Sequence, residues 1–267
     1  MLGKIIVRGS VVAAFQTCGR VFILLGLALL PRQAHAQISG FGGVWSLNGS
    51  NSYSVPMTVP AIQGGVLTVT DTMSSGYEQC SAFYQTSQPI GSFVAQFTYQ
   101  ASNFGTRYPS NPYNYGGDGL TFCIQNSGVS ACGLWGEDLG YSNGQLPNSP
   151  AITPSVAVAL NIYNGTGPGE NLLTNGANPY SYNSTAPVAL RSQNPINVTL
   201  NYVGSTLQET LVDQVTGAYY ANNYTLNIPS IVGGNTAYVG FTGGNGAAAD
   251  LELLLPSDLS GASVLPA

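Results

Sequence analysis

Residues 196–203 read INVTLNYV. Ile196, Val198, Leu200 and Tyr202 fall on one side of an extended chain, and Asn197, Thr199 and Asn201 on the other. A period of two marks a β-strand with one buried face. The device recurs. SFVAQFTYQ (92–100) groups Phe93, Ala95, Phe97 and Tyr99; GLTFCIQ (119–125) groups Leu120, Phe122 and Ile124. SVAVALNIY (155–163) groups Val156, Val158, Leu160 and Ile162, and further short runs lie at 65–71, 237–243 and 250–255. Clusters of Gly, Pro, Asn and Ser separate these runs, the largest at 101–117, 142–154 and 164–187. No window after residue 36 carries a sustained helical period. Strands with one apolar and one polar face pair as antiparallel sheets, and two such sheets bury their apolar faces together. The pattern predicts an all-β, antiparallel two-sheet sandwich over 37–255, with 256–267 as a loose tail. Its core should include Phe93, Phe97, Leu120, Phe122, Val156, Val158, Val198, Leu200 and Val239.

The first 36 residues read as a secretion signal. Lys4, Arg8 and Arg20 give a basic leader, VFILLGLALL (21–30) a short apolar core, and AHA (34–36) a small-residue cleavage site. The apolar run is short for a membrane span. A secreted protein, extracellular or periplasmic, is therefore expected, with no membrane insertion after cleavage. Cleavage removes the only His, His35, and leaves Arg107 and Arg191 against eleven acids, a net charge near −9. Without an imidazole, a Ser-His-Asp or Cys-His engine is excluded within the mature chain. Two basic residues do not neutralise a phosphate backbone, so nucleic acid is not an expected partner. Charged residues are only 6% of the chain, against about 25% in average usage; amides and hydroxyls wet the surface instead. Three cysteines remain, Cys80, Cys123 and Cys132. Export permits one bridge. Cys123–Cys132 is the expected pair across its short loop, and Cys80–Cys132 is the alternative.

In this charge-poor chain YGGDGLTFCIQNSG (115–128) sets Asp118 among three glycines just before an apolar strand. At the level of residue types two roles stand open: a turn cap, or an acceptor-only group held out for donors on a ligand.

Several stretches, in order, resemble the L-type (legume-type) lectin family in its bacterial secreted form. WSLNGSNSY (45–53) and GGVLTVTD (64–71) resemble its opening strands, and SAFYQTSQPIGSFVAQFTYQ (81–100) the aromatic-rich strand that follows. GGDGLTFCIQNSG resembles its small-Asp-Gly strand and LGYSNG (139–144) the next loop. SVAVALNIYNG (155–165) resembles the strand that usually reads V-A-V-E-F-D-T, and AYVGFTGGNG (237–246) its V-G-F-S-A-x-T-G turn. The resemblance implies a concanavalin A-like jelly roll that binds glycans or polysaccharide. It assigns Asp118, after Gly117 and a cis peptide, the role of accepting two sugar hydroxyls. It places a backbone N–H contact in the loop at Gly136, Glu137 and Asp138, and a sugar-contacting Asn at Gly165 or, one register over, Asn164. Trp135 offers an aromatic face to a pyranose ring, or packs as an ordinary core Trp.

One departure stands out. The family's strand carries a Glu and, two residues on, an Asp that share a pair of ions; here Ala159 and Asn161 stand there. Hard cations prefer carboxylates, so no transition metal and no cofactor are expected. Asn161 and Glu170 are what remains for a weak calcium site, with Asp118 and the Tyr163 carbonyl. Two other functions stay in view. One is a structural or adhesion module without sugar binding. The other, ranked below it, is a concanavalin-like glycoside hydrolase, which needs two carboxylates across a cleft; DLE (250–252) has suitable spacing.

Overall fold

The computed structural model describes residues 40–255, except 53–55, 73–76, 107–109, 111–114, 145, 147 and 179–180. Residue 38 and the backbone of two short ladders nearer the N-terminus are also described. Those ladders pair Ile6–Val7 with Ser10–Val11 and Gln16–Thr17 with Arg20–Val21. They fall in a unit spanning Met1–His35, separate from a unit spanning Ala36–Ala267. The apolar leader core, the cleavage site, Arg107 and the expected tail at 256–267 lie outside the described residues. Among the described residues, no helix is long and apolar enough to cross a membrane.

The second unit is built from β1 (Trp45–Asn51), β2 (Ala61–Gln63), β3 (Val66–Thr70), β4 (Glu78–Tyr84), β5 (Gln88–Pro89), β6 (Phe93–Thr106) and β7 (Gly119–Gln125). It continues with β8 (Ser155–Asn161), β9 (Gly169–Thr174), β10 (Ile196–Val203), β11 (Thr206–Asp213) and β12 (Tyr219–Thr225). A short helix α1 (Ile228–Val232) precedes β13 (Thr236–Asn245) and β14 (Ala248–Leu255). All strand pairs are antiparallel. One sheet runs β12-β11-β10-β6-β14-β3-β2. The other runs β9-β8-β7-β13-β4-β1, with β5 also paired to β13.

The two sheets meet on the alternating apolar residues. Phe93 and Phe97 of the first sheet pack on Phe122 and Phe241 of the second, with ring centroids 5.0–6.5 Å apart for three of these pairs. Eight of the nine expected core residues are buried; Val239 is partly buried and packs against the same cluster.

The structure departs from the sequence expectation in four ways. First, β7 and β8 are buried at every position, not on one face. Leu139, Tyr141 and Ile152, from the long segment between these strands, form a second apolar cluster over Cys123, Ala157 and Ala159. Small residues on the outer face leave room for that cover. Second, Gly169–Thr174 is strand, where a continuous loop was expected. Third, α1 follows the N-cap Asn227, whose side chain accepts from Ser230 N–H, and stops at Gly233 in the left-handed region. These are ordinary cap signals. Fourth, Asp250 and Glu252 lie on the buried side of β14, both 0% exposed. They therefore do not line an open cleft.

Candidate functional site

The Gly117–Asp118 peptide is cis, and it stands at the entry to β7. The Asp118 backbone is held on both sides: its N–H donates to Gly244 O at 3.0 Å, and its C=O accepts from Ile162 N–H at 3.0 Å. Gly119 must be glycine. Its φ is +140°, and a Cβ there would run into the Leu160 carbonyl.

The Asp118 side chain is 5% exposed, and its Oδ2 has no hydrogen-bond partner. Two glycines border Oδ2. A Cβ added at Gly246 would stand 3.0 Å from it, and one at Gly136 would stand 3.6 Å away. Burial pushes the Asp118 pKa up to about 8, and the charges of Glu137 and Asp138 add to that; only the nearby Gly246 N–H, itself donated to Ala248 O, opposes it. Burial favours the neutral form of any carboxyl left without partners.

Gly136 opens a 3-10 turn, Gly136–Asp138, that ends at Leu139 in the left-handed region. Asp138 organises this loop. Its Oδ1 accepts from Ser142 Oγ, from Gly144 N–H at 2.9 Å and from Asn178 Nδ2 at 2.6 Å. Glu137 is exposed. Trp135, 38% exposed, stacks on Tyr77 with centroids 4.4 Å apart and planes 18° apart. The Tyr77 ring also lies 3.9 Å from a Cβ built at Gly246. The stacked pair thus borders the same glycine that touches Asp118. Tyr163 closes the other side: a Cβ at Gly117 would sit 3.2 Å from its ring, and one at Gly165 would run into it. Burial and the charges of Asp118 and Glu137 raise the Tyr163 hydroxyl pKa.

Asp118, Gly117, Gly136, Glu137 and Trp135 are therefore brought together. Asn164 is exposed on the neighbouring loop, where its carbonyl accepts from Gly167 N–H. Sequence reasoning missed the rings of Tyr77 and Tyr163 as members of this surface, and it missed Arg191. The Arg191 guanidinium donates to three carbonyls: Gly116 O at 3.0 Å, Tyr115 O at 2.6 Å and Ile162 O. It lies 4.8 Å from the Phe104 ring centroid.

The expected calcium candidates do not come together. Asn161 uses its Nδ2 as a donor to Gly167 O at 2.8 Å, Thr166 Oγ1 at 3.1 Å and Tyr163 O at 3.3 Å, while its Oδ1 accepts from Tyr163 N–H. Those oxygens are already served by an amide. Glu170 is turned away, because the residue opposite Asn161 in the ladder is Gly169 and Glu170 lies opposite the inward-facing Leu160. Its carboxylate crosses to the other sheet and accepts from Tyr220 OH at 2.8 Å, Asn222 Nδ2 at 3.0 Å, Asn183 Nδ2 at 3.1 Å and Tyr224 OH. Ala159 carries no ligand atom and is packed in the second cluster. This donor set does not fit the pair of ions that the resemblance implies. Among the described residues, no group of three His, Cys, Asp or Glu is placed to hold a metal.

The expected Cys123–Cys132 bridge is not formed, and all three thiols are free. Cys123 is sealed under the second apolar cluster, while Cys132 bonds to the Ser81 side chain and its pKa is pushed by burial up to about 12.

A legume lectin domain profile matches residues 53–258. Peanut lectin, solved with a 9-residue peptide, is similar in structure: TM-score 0.61, 14% identity, covering 82% of this chain and 93% of that one. Winged bean acidic lectin, solved with methyl-α-D-galactose, gives TM-score 0.56 and 19% identity over 78% and 89% of the two chains. Arcelin-5, a lectin-like defence protein from Phaseolus vulgaris, gives TM-score 0.54 and 18% identity over 80% and 90%.

Proposed function

The chain belongs to the legume lectin domain family, and from that premise we propose that it is a secreted carbohydrate-binding protein whose pocket is centred on Asp118. The observation that carries this is the Asp118 carboxyl, buried beside a cis peptide with one oxygen unpartnered among glycines. A folded chain seldom leaves a buried acceptor without a donor. A sugar hydroxyl supplies that donor; bonding to the oxygen favours the ionised carboxyl that burial alone disfavours, and the bond to the charged acceptor is short and strong. The Trp135–Tyr77 stack offers a flat apolar face of the kind that covers a pyranose ring. Winged bean acidic lectin in its sugar complex supports the class of ligand and does not name this chain's sugar. Binding, rather than hydrolysis, is the reading favoured by Asp250 and Glu252 being sealed inside the sandwich.

A glycan array with the mature protein, repeated in EDTA, tests the reading. Binding to one or more glycans that is weakened by Asp118→Asn is the expected result. No binding at high protein concentration would leave the adhesion or structural module standing instead.

A further inference from the structure

Two loops must be held for Asp118 to keep its place: residues 115–118, which lead into the cis peptide, and residues 162–167, whose Ile162 N–H caps the Asp118 carbonyl. Hydrogen bonds of side chains join them. Arg191 reaches Tyr115 O and Gly116 O on the first loop and Ile162 O on the second. Asn161 folds the second loop on itself through Tyr163, Thr166 and Gly167. Arg191 is the only basic side chain among the described residues; its hydrogen bonds go to backbone carbonyls, and the charge of the buried Asp250 favours its charged form.

The guanidinium is suited to this. It is planar, permanently charged and presents several donors in a fixed fork, whereas a lysine ammonium is a point charge on a flexible stem. The segment that presents it is anchored. Val188 and Leu190 are buried in the main core, Thr185 Oγ1 donates to Val188 O at 2.8 Å, and Val188 N–H returns a bond to Thr185 O. The Phe104 ring lies beneath the charge, a favourable cation–π arrangement.

We infer that Arg191 is a positioning residue: a cation built into the chain that gathers the carbonyls of both loops and holds Asp118 in its binding position, so that no metal ion is needed there. The affinity half of this rests on the sugar-binding reading; the structural half does not.

The test has two arms, run on the mature protein, on Arg191→Ala and on Arg191→Lys. The first arm is amide hydrogen exchange by NMR. The Asp118 and Ile162 amides should exchange at least about tenfold faster in Arg191→Ala, while core amides such as Val198 and Leu200 keep their protection. Arg191→Lys should recover only part of the loss. Ethylguanidinium added to Arg191→Ala should restore protection at Asp118 and Ile162, and ethylammonium should not. Unchanged exchange at Asp118 and Ile162 would overturn the inference, and so would loss of protection spread evenly through the sandwich. The second arm is glycan affinity. Arg191→Ala should bind at least about tenfold more weakly, with wild-type binding unchanged by EDTA. A wild type that binds glycan only with calcium would overturn the inference and leave the lectin reading intact. If the wild type binds no glycan at all, the lectin reading falls and the exchange arm alone decides the role of Arg191.

Discussion

Glu170 and Asp118 are buried carboxyls belonging to the same sheet, one on β9 and one at the mouth of β7, with β8 between them. Their surroundings are opposite. Glu170 is met by two tyrosine hydroxyls and an amide from β12, and by the Asn183 amide. Beside it on β11, Glu209 is fully buried; burial, the charge of Glu170 and a side-chain hydrogen bond with Glu170 push its pKa well up. Asp118 faces glycine backbone and keeps an oxygen without a donor. An acid saturated by its own chain ties two sheets together and has nothing to offer a visitor. An acid bordered by glycines keeps a bonding position that its own chain does not fill. On the reading proposed above, what separates a structural carboxyl from a binding one is the neighbours, since the burial is alike.

The largest effect expected from breaking this contrast is at Glu170. Glu170→Ala leaves four neutral donors facing an empty position, and at about 1–3 kcal/mol for a buried donor left unsatisfied, with partial relief from water, a total loss of about 3–5 kcal/mol is expected. For a domain of this size that is roughly a 10 °C drop in melting temperature. Calorimetry should show it, with glycan affinity at low temperature intact; weaker binding without a lower melting temperature would reverse the two roles.

Asp118→Asn should do the converse. A hydrogen bond to a charged group contributes about 1.5–3 kcal/mol, so affinity should fall roughly ten- to a hundredfold. Replacing a buried acid whose pKa burial raises to about 8 with a neutral amide should leave the melting temperature level or raise it, the more so above pH 8. An earlier melt with unaltered binding would mark Asp118 as a turn cap.

Stability should fall with rising pH. Burial raises the pKa of Asp118 to about 8 and lifts those of Asp250, Glu252 and Glu209 well above the ordinary carboxylate range. Groups raised in the folded state contribute stability that is fully present below about pH 4, their unfolded range. It is lost as the pH climbs through the folded values. Scanning fluorimetry should therefore record a higher melting temperature at pH 5 than at pH 8. The reverse slope would mean these carboxyls are not buried together as described.

The smallest effect is at Glu209. Glu209→Gln keeps the shape and replaces an acid that must hold a proton beside Glu170 with an amide that donates at every pH. A gain of about 1 kcal/mol at neutral pH is expected, readable in urea melts. A loss would show that the protonated carboxyl serves Glu170 better than an amide does.

The sandwich was legible because alternation is a local signal, and Phe93, Phe97, Leu120, Phe122, Val156, Val158, Val198 and Leu200 all carry it. That Gly117–Asp118 is cis and that Gly136 lies beside Asp118 was legible through the order of the stretches around them. Other parts were not, for identifiable reasons. Glu170 was misplaced because 164–187 reads as loop; Gly169–Thr174 is instead a strand, and its register, with Gly169 opposite Asn161, sends Glu170 inward. Arg191 escaped notice because its partner Gly116 is 75 residues away, and nothing in a single sequence pairs a guanidinium with distant carbonyls. Tyr77 and Tyr163 escaped for the same reason. The outer face was expected to be open and is roofed by Leu139, Tyr141 and Ile152, which bury Cys123.

The clamp proposed for Arg191 changes what the pocket is coupled to. An ion drawn from solution is occupied according to its concentration, so a site built on it can be emptied by a chelator or a dilute medium while the fold persists. A side chain arrives in fixed stoichiometry with the fold and has no chemical potential of its own. With Arg191 as the cation, the pocket has one failure mode, the unfolding of the sandwich, and loss of binding on heating should track loss of structure in a single transition at any ambient calcium level.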